Sequence, residues 1–122
     1  MAMSRAQLDP LIGRWRIVEM DLWGSDIIDL EEPAFIEFRK DGTGPFGFMV
    51  VRGWMDCLSA PDKGRAGVEF SWEGNDESTP VSGRGWAALT KDGKLKGHLY
   101  FHLGDDSSFL AERFDAEDGT AL

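Results

Sequence analysis

The sequence predicts an all-β fold: a single antiparallel, up-and-down β-barrel of about eight strands, preceded by a short helical turn. Three observations predict it. Runs of alternating apolar and polar residues recur along the chain, glycine-rich turn signals separate them, and the 122 residues include 15 Gly, five Trp and eight Phe. Strands at this spacing usually pair with their sequence neighbours, and an even number of them can close without leaving an exposed edge.

One domain accounts for all 122 residues, because a chain of this length can bury one core but not two. We expect its ordered core to span residues 11–114 and residues 115–122 to form an acidic tail. Residues 4–11 are predicted to form the helical turn, with Ser4 as its N-cap. Gly13 then ends the turn and leads into the first strand.

The first strand is predicted over residues 15–22, where the alternation is imperfect. It places Val18, Met20 and Leu22 on one face. Residues 23–33 break the pattern with several acidic residues around three apolar ones. They therefore predict a long loop that carries a helical turn.

The next three strands lie between residues 34 and 60. Residues 34–39 alternate and end at a strong hairpin signal in residues 40–44, where Asp-Gly supplies the positive φ of a tight turn. Residues 45–60 are extended, and we divide them into two strands at Arg52-Gly53. A single long strand bent at this glycine is the alternative.

The second half of the chain predicts four more strands. After a turn at residues 61–65, residues 66–73 alternate cleanly. Residues 74–82 carry three acidic side chains and predict a polar loop. The remaining strands are 83–90, 95–103 and 107–114, joined by turns at 91–94 and 104–106.

The even strand count sets which segments meet at each end of the barrel. It brings Arg113, near the end of the last strand, close to Trp15 at the start of the first. The turns at residues 40–44, 61–65 and 91–94 fall at this end. The loops 23–33 and 74–82 and the turn 104–106 fall at the other, which predicts a ligand-binding mouth there.

Gly13-Arg14-Trp15, together with Arg113, resembles the calycin superfamily, the lipocalins and their smaller relatives. The resemblance implies that Trp15 plugs the closed base and that Arg113 stacks across it, so that Gly13, Trp15 and Arg113 close the barrel. A cation–π contact of this kind contributes about 0.5–2 kcal/mol. The chain departs from true lipocalins at the turn 90–93 and in having no room for their C-terminal helix.

A second resemblance covers most of the chain. Residues 68–77, followed by Gly83-Arg84-Gly85-Trp86, are similar to small uncharacterised bacterial proteins. That resemblance implies no activity.

Charge and composition exclude several classes of function. Thirteen basic and 22 acidic residues give a formal charge of −9, which repels nucleic-acid phosphates and anionic lipids. The sequence has no apolar run of the ~20 residues that span a bilayer and none that resembles a signal peptide. We therefore expect a bacterial cytoplasmic protein that binds neither nucleic acid nor membranes.

Neither a metal centre nor a cofactor is predicted. Cys57 is the single cysteine, so we expect it to pack as a small apolar residue. His98 and His102 are four positions apart on a strand, or roughly 13 Å, too far to share one zinc ion. An axial haem ligand is the alternative for one histidine, and a solvent-facing or hydrogen-bonded role is favoured.

The candidate ligand-binding residues surround the hairpin after residue 66. They are Trp72, Glu73, Asp76, Arg84 and Trp86. Two indole rings could stack a planar ligand while the arginine anchors a polar group. The structural alternative is a Trp-lined core with an ion pair that fixes the loop. The acidic residues Glu69 and Glu77 suggest a solvated rim, with acid–base chemistry or cation binding as the alternative.

Three functional hypotheses follow, and no catalytic residue is predicted. The first is a non-catalytic barrel that binds a small apolar or aromatic ligand at its open end, with the loop 23–33 as a lid. The second is an interaction module with a packed core, with a homodimer face built from Trp23, Ile27, Ile28 and Trp54. The third is an enzyme that uses the acidic loop.

Overall fold

Eight antiparallel strands close into a barrel in the computed structural model of the chain, which describes residues 5–114. The elements are a 3₁₀ helix (Arg5–Leu11), β1 (Gly13–Met20), α1 (Ser25–Ile28), β2 (Phe35–Phe38), β3 (Thr43–Phe48), β4 (Val51–Ser59), β5 (Gly67–Asp76), β6 (Thr79–Leu89), β7 (Leu95–Phe101) and β8 (Asp106–Arg113). Each strand pairs with the next, and β8 pairs with β1. The predicted eight-stranded up-and-down barrel is confirmed. The predicted cap at Ser4 and the tail 115–122 lie outside the described residues.

The base of the barrel is closed around Trp15. Its side chain is 1% exposed, and its Nε1 donates a hydrogen bond of 2.9 Å to the carbonyl oxygen of Leu11 in the 3₁₀ helix. Arg113 is its cross-strand partner in β8. The Arg113 guanidinium lies 4.1 Å from the centre of the Trp15 ring. The indole is therefore held between the 3₁₀ helix and the last strand, where the strand count places it.

The inner face of β1 differs from the predicted one. The pairing between β1 and β8 shifts register between Ile17 and Glu19, so that a β-bulge lies at Val18. Because the extra residue changes the alternation, Ile17 and Met20 are both buried. Val18 is half-buried, and Leu22 lies beyond the strand, 47% exposed. The expectation that Val18, Met20 and Leu22 share one face is wrong.

The chain between β3 and β4 turns earlier than predicted. Two strands are present, but the turn lies at Met49, which takes a φ of 51°, and Arg52-Gly53 falls inside β4. Gly53 is required for packing and not for a turn, because a Cβ there would overlap the ring of Phe46. The glycine that predicted a break makes room for a core side chain.

The polar segment 74–82 is a strand hairpin, and the predicted loop is wrong. β5 continues to Asp76 and β6 begins at Thr79, with Glu77 at a φ of 57° in the turn. Asn75 and Pro80 are both exposed, since the tip of this hairpin has water on each side. Polar composition therefore does not distinguish a protruding hairpin from a loop.

Candidate functional site

The five predicted ligand-binding residues do not form one cluster. Trp72 points into the barrel, where it is 3% exposed and its Nε1 donates a hydrogen bond of 3.2 Å to the carbonyl oxygen of Tyr100. The other four lie on the outer side of the β5–β6 hairpin or at its exposed tip: Glu73, Asp76, Arg84 and Trp86. Their role in ligand binding stays a prediction, and the geometry divides them between two environments.

Aromatic side chains fill the barrel interior at the end opposite Trp15. This upper aromatic cluster consists of Trp23, Phe46, Phe48, Trp72 and Phe101. The ring centres lie 5.0 Å apart for Phe46 and Trp72, 5.2 Å for Trp72 and Phe101, and 5.4 Å for Trp23 and Phe48. The two contacts of Trp72 are edge-to-face, and pairs of that kind contribute about 0.5–1.5 kcal/mol beyond their buried area. The space in which the sequence predicts a ligand is occupied by side chains that pack against one another.

The loop between β1 and β2 covers this end. Ile28 in α1 is 1% exposed, and its carbonyl oxygen accepts a hydrogen bond of 2.8 Å from the backbone of Met49. Three ion pairs hold the loop to the strands: Arg16–Asp29 at 2.8 Å, Arg52–Glu31 at 3.0 Å and Arg52–Glu32 at 3.0 Å. The predicted lid is therefore closed on the barrel.

A groove of about 530 Å³ lies instead on the outer face of the sheet, across β4 to β7. We call it the outer groove. Ser71 of β5 lies at its centre, because the register pairs this small residue with Asp56 of β4 and with Arg84 of β6. The next row of the sheet places Leu58 and Trp86 on either side of Glu69, and Tyr100 of β7 completes the lining. Two of the five predicted residues, Arg84 and Trp86, thus line one groove.

The charged groups of the outer groove stay available to a ligand. The Arg84 guanidinium lies 4.8 Å from the centre of the Tyr100 ring. Within residues 5–114, no carboxylate oxygen comes within 4 Å of Arg84, and neither Asp56 nor Glu69 has an ion pair. Because all three groups face water, they keep the capacity to bind the polar groups of a ligand.

A second groove of about 450 Å³ continues the first along the same face. The two share Asp56 and Ser71, and the second extends to Trp54 and Glu73. Trp54 is 46% exposed, and the Arg39 guanidinium lies 5.0 Å from its ring centre. The two grooves therefore adjoin on the outer face, and each is lined by an indole ring, Trp86 in the first and Trp54 in the second.

Several residues of this face were not predicted as part of the site. They are Asp56, Leu58, Ser71 and Tyr100. The alternation in residues 66–73 predicts that Ser71 faces outward, and the same period applied to β4 turns Leu58 outward, where it is 62% exposed. An apolar side chain on a solvent-facing position was the signal that could have identified the groove.

Other chemistry-bearing side chains lie apart from the outer groove or on its border. His98 Nε2 and Asp106 Oδ2 lie 2.5 Å apart, while His102 is exposed. A hydrogen bond from Ser107 Oγ holds the pKa of Asp21 below its usual value. Cys57 is buried in the core. Across the described part of the chain, no group of three His, Cys, Asp or Glu side chains is arranged to bind one metal ion.

In residues 5–114, the helices are too short and too polar for any of them to cross a bilayer. Comparisons with protein-family models, with curated proteins and with solved structures found no match to this chain.

Proposed function

We propose that the chain is a calycin-like, non-catalytic binding protein whose ligand occupies the outer groove. The relation to calycins is supported by the contact between Trp15 and Arg113 at the base of an eight-stranded up-and-down barrel.

The observation that carries the proposal is the position of Arg84 beside Trp86 in a groove of about 530 Å³. Small-molecule sites commonly measure about 300–1,000 Å³ and combine apolar walls with a few polar groups that orient the ligand. Here Trp86 and Leu58 supply the apolar walls, and Arg84, Asp56 and Glu69 supply the polar groups. The expected ligand is a small molecule with an apolar or aromatic face and a polar rim.

Binding at the open end, which the sequence predicts, has a structural cost that the outer groove avoids. A ligand there would have to displace Trp23 from Phe48 and break the ion pairs that hold the loop between β1 and β2. The outer groove is already open to solvent, so binding there requires neither change. The geometry therefore favours the outer face over the barrel interior.

The five indole N–H groups make the two locations distinguishable by NMR. We would titrate ¹⁵N-labelled protein with indole, benzoate and benzamidine as probes. We expect at least one probe to shift the indole signal of Trp86 while the signals of Trp72 and Trp23 stay in place. Arg84→Ala should weaken the binding of benzoate, the probe that accepts hydrogen bonds from a guanidinium, at least about tenfold, since hydrogen bonds to charged groups contribute about 1.5–3 kcal/mol. Arg14→Ala, which removes a cation–π arginine from the opposite side of the barrel, is the matched control.

Two results would contradict the proposal. If the probes shift Trp72 and Trp23 but not Trp86, the ligand enters the open end. If no probe shifts any indole signal at millimolar concentration, the outer groove is not a small-molecule site.

A second candidate function is protein–protein interaction, with a second copy of the chain as partner. It is supported by two large apolar side chains exposed on the same face, Trp54 at 46% and Leu58 at 62%. The homodimer face expected from the sequence is not continuous, because Ile28 is buried and Trp23 packs on Phe48. Sedimentation velocity tests this candidate: a dimer that Leu58→Glu dissociates would support it, and a monomer at millimolar concentration would exclude it.

A further inference from the structure

The two indole rings of the outer face lie diagonally across Ser71. Trp86 of β6 is the cross-strand partner of Glu69, and Trp54 of β4 is the partner of Glu73. Two strand spacings of about 4.8 Å and four residues of about 3.3 Å each put the Cα atoms of Trp54 and Trp86 roughly 16 Å apart. A compact ligand reaches one ring, whereas an extended ligand reaches both.

The polar groups around Ser71 include both hydrogen-bond acceptors and hydrogen-bond donors. Asp56, Glu69 and Glu73 offer hydrogen-bond acceptors, and Arg84 offers five N–H donors in one plane. The Ser71 hydroxyl between them can donate and accept. Because the same face carries a guanidinium and carboxylates that form no ion pair with one another, a ligand that carries only one sign of charge meets repulsion as well as attraction. An anion at Arg84 would face Asp56, and a cationic peptide would face Arg84.

We infer that the ligand of the outer face is a short neutral oligosaccharide, a proposal that rests on the function proposed above. Each sugar ring presents C–H groups on its faces, which stack on an indole, and hydroxyl groups around its rim. Those hydroxyl groups donate to carboxylates and accept from a guanidinium, so a neutral sugar satisfies both kinds of group at once. The separation of Trp54 and Trp86 requires several linked rings.

A glycan array gives the first test. Labelled protein is applied to a broad array of neutral, sialylated and sulfated glycans, beside the double variant Trp54→Ala/Trp86→Ala. We expect binding to neutral oligosaccharides that the double variant loses. Leu103→Ala, which removes a leucine that is 95% exposed outside the groove, is the control and should bind as the unchanged protein does. Thermal unfolding of each variant shows that it is folded.

The best neutral glycan is then titrated into ¹⁵N-labelled protein. A trisaccharide should shift the indole signals of both Trp54 and Trp86, and its monosaccharide should bind at least about tenfold more weakly, or ~1.4 kcal/mol. Trp54→Ala should weaken the binding of the trisaccharide by a similar factor. It should leave the binding of benzamidine or indole at Trp86 unchanged.

The outcomes separate the two proposals. One outcome is that small aromatic probes shift the indole signal of Trp86 while no neutral glycan binds above the level of the double variant. In that case the outer groove is a small-molecule site, and the inference of an oligosaccharide ligand is wrong. Binding confined to sulfated or sialylated glycans also overturns the inference. If neither aromatic probes nor glycans shift Trp86, both proposals fail.

Discussion

The guanidinium of Arg113 lies over the ring of Trp15 and binds two further parts of the barrel base. Its carbon is 4.1 Å from the ring centre, its Nη1 donates a hydrogen bond of 2.8 Å to the carbonyl oxygen of Ile12, and its Nη2 donates one of 2.7 Å to that of Pro10. Partial burial lowers the pKa of Arg113. One side chain of the last strand therefore connects the first strand to the segment that precedes it.

Replacing Arg113 should destabilise the barrel more than replacing another arginine stacked at the same distance. Arg14 lies 4.1 Å from the ring centre of Phe35 and pairs with Glu37, but within residues 5–114 its side chain donates to no carbonyl oxygen. We expect Arg113→Ala to lower the free energy of unfolding by about 1–2 kcal/mol, because backbone hydrogen bonds are lost as well as the cation–π contact. Arg14→Ala should cost at most about 1 kcal/mol. Urea unfolding measures both, and equal losses would show that the carbonyl contacts contribute nothing.

Gly13 should not accept a side chain. Its φ is +122°, which L-residues rarely adopt, and a Cβ would lie 2.9 Å from Nη1 of Arg113. We expect Gly13→Ala to lower the free energy of unfolding by about 1–3 kcal/mol. Gly93→Ala is the control and should lower the free energy of unfolding by less, since Gly93 has a φ of +85° but, apart from the two residues adjacent to it in sequence, no atom of residues 5–114 lies within 4 Å of the position that a Cβ would take.

Combining Gly13→Ala with Arg113→Ala isolates the contact from the backbone strain. In the Arg113→Ala background, Gly13→Ala should lower the free energy of unfolding by less, because the new Cβ and the Arg113 guanidinium no longer compete for space. An unchanged cost would assign the whole effect to the backbone.

Trp72 should behave as a core residue. Replacing it with Ala removes two edge-to-face aromatic contacts and a hydrogen bond, so we expect a loss of about 3–5 kcal/mol. Trp54→Ala on the outer face should cost about 1 kcal/mol or less, since the side chain is half-exposed. Thermal and urea unfolding compare the two, and similar losses would contradict the assignment of Trp72 to the interior and Trp54 to the surface.

Glu37 should make the barrel sensitive to acid. Burial raises its pKa, but hydrogen bonds from Arg39 at 2.7 Å and Arg14 at 3.0 Å lower it, and the net result is a pKa below the ordinary value of 4.5. A carboxyl whose pKa is depressed by folding stabilises the protein above its unfolded pKa and loses this contribution as the pH falls through the folded value. The stability gap between the unchanged protein and Glu37→Gln should therefore be constant above pH ~5 and shrink below pH ~4.5.

The control for this titration is Glu19→Gln. Glu19 lies on β1, is exposed, and has no ion pair among the residues that the structure describes. Because the Glu19 carboxylate forms no ion pair within residues 5–114, its replacement should change the free energy of unfolding by no more than about 0.5 kcal/mol. If the difference in free energy of unfolding between the unchanged protein and Glu37→Gln does not narrow at low pH, the two arginines do not hold the Glu37 carboxylate in its charged form.

The strand number and order could be predicted because they depend on local patterns. Alternation in residues 66–73 identifies Val68, Phe70 and Trp72 as the inner face, and the three are buried. Once the barrel closes, the even count brings Trp15 and Arg113 together, because the first and last strands then run antiparallel. These features required no knowledge of which side chains touch.

The details that could not be predicted depend on packing between distant residues. Gly53 resembles a turn residue in the sequence, but it is needed under the Phe46 ring, and the turn uses Met49 at a positive φ that is uncommon outside glycine. The predicted ligand-binding residues are divided between the interior and the outer face for a related reason. Trp72 and Trp86 are close in the hairpin but have opposite parity relative to the barrel wall, which only the cross-strand register reveals.

The register between β1 and β8 also has a consequence for how the chain is made. The hydrogen bond from Arg113 to Ile12 joins residues 101 positions apart, so at ribosomal speeds roughly 5–20 s pass between the synthesis of the two. Throughout that interval β1 exists without its final neighbour, as an open edge that another nascent chain could join. The outward charges of Arg14, Arg16 and Glu19 are features of β1 itself that discourage such pairing.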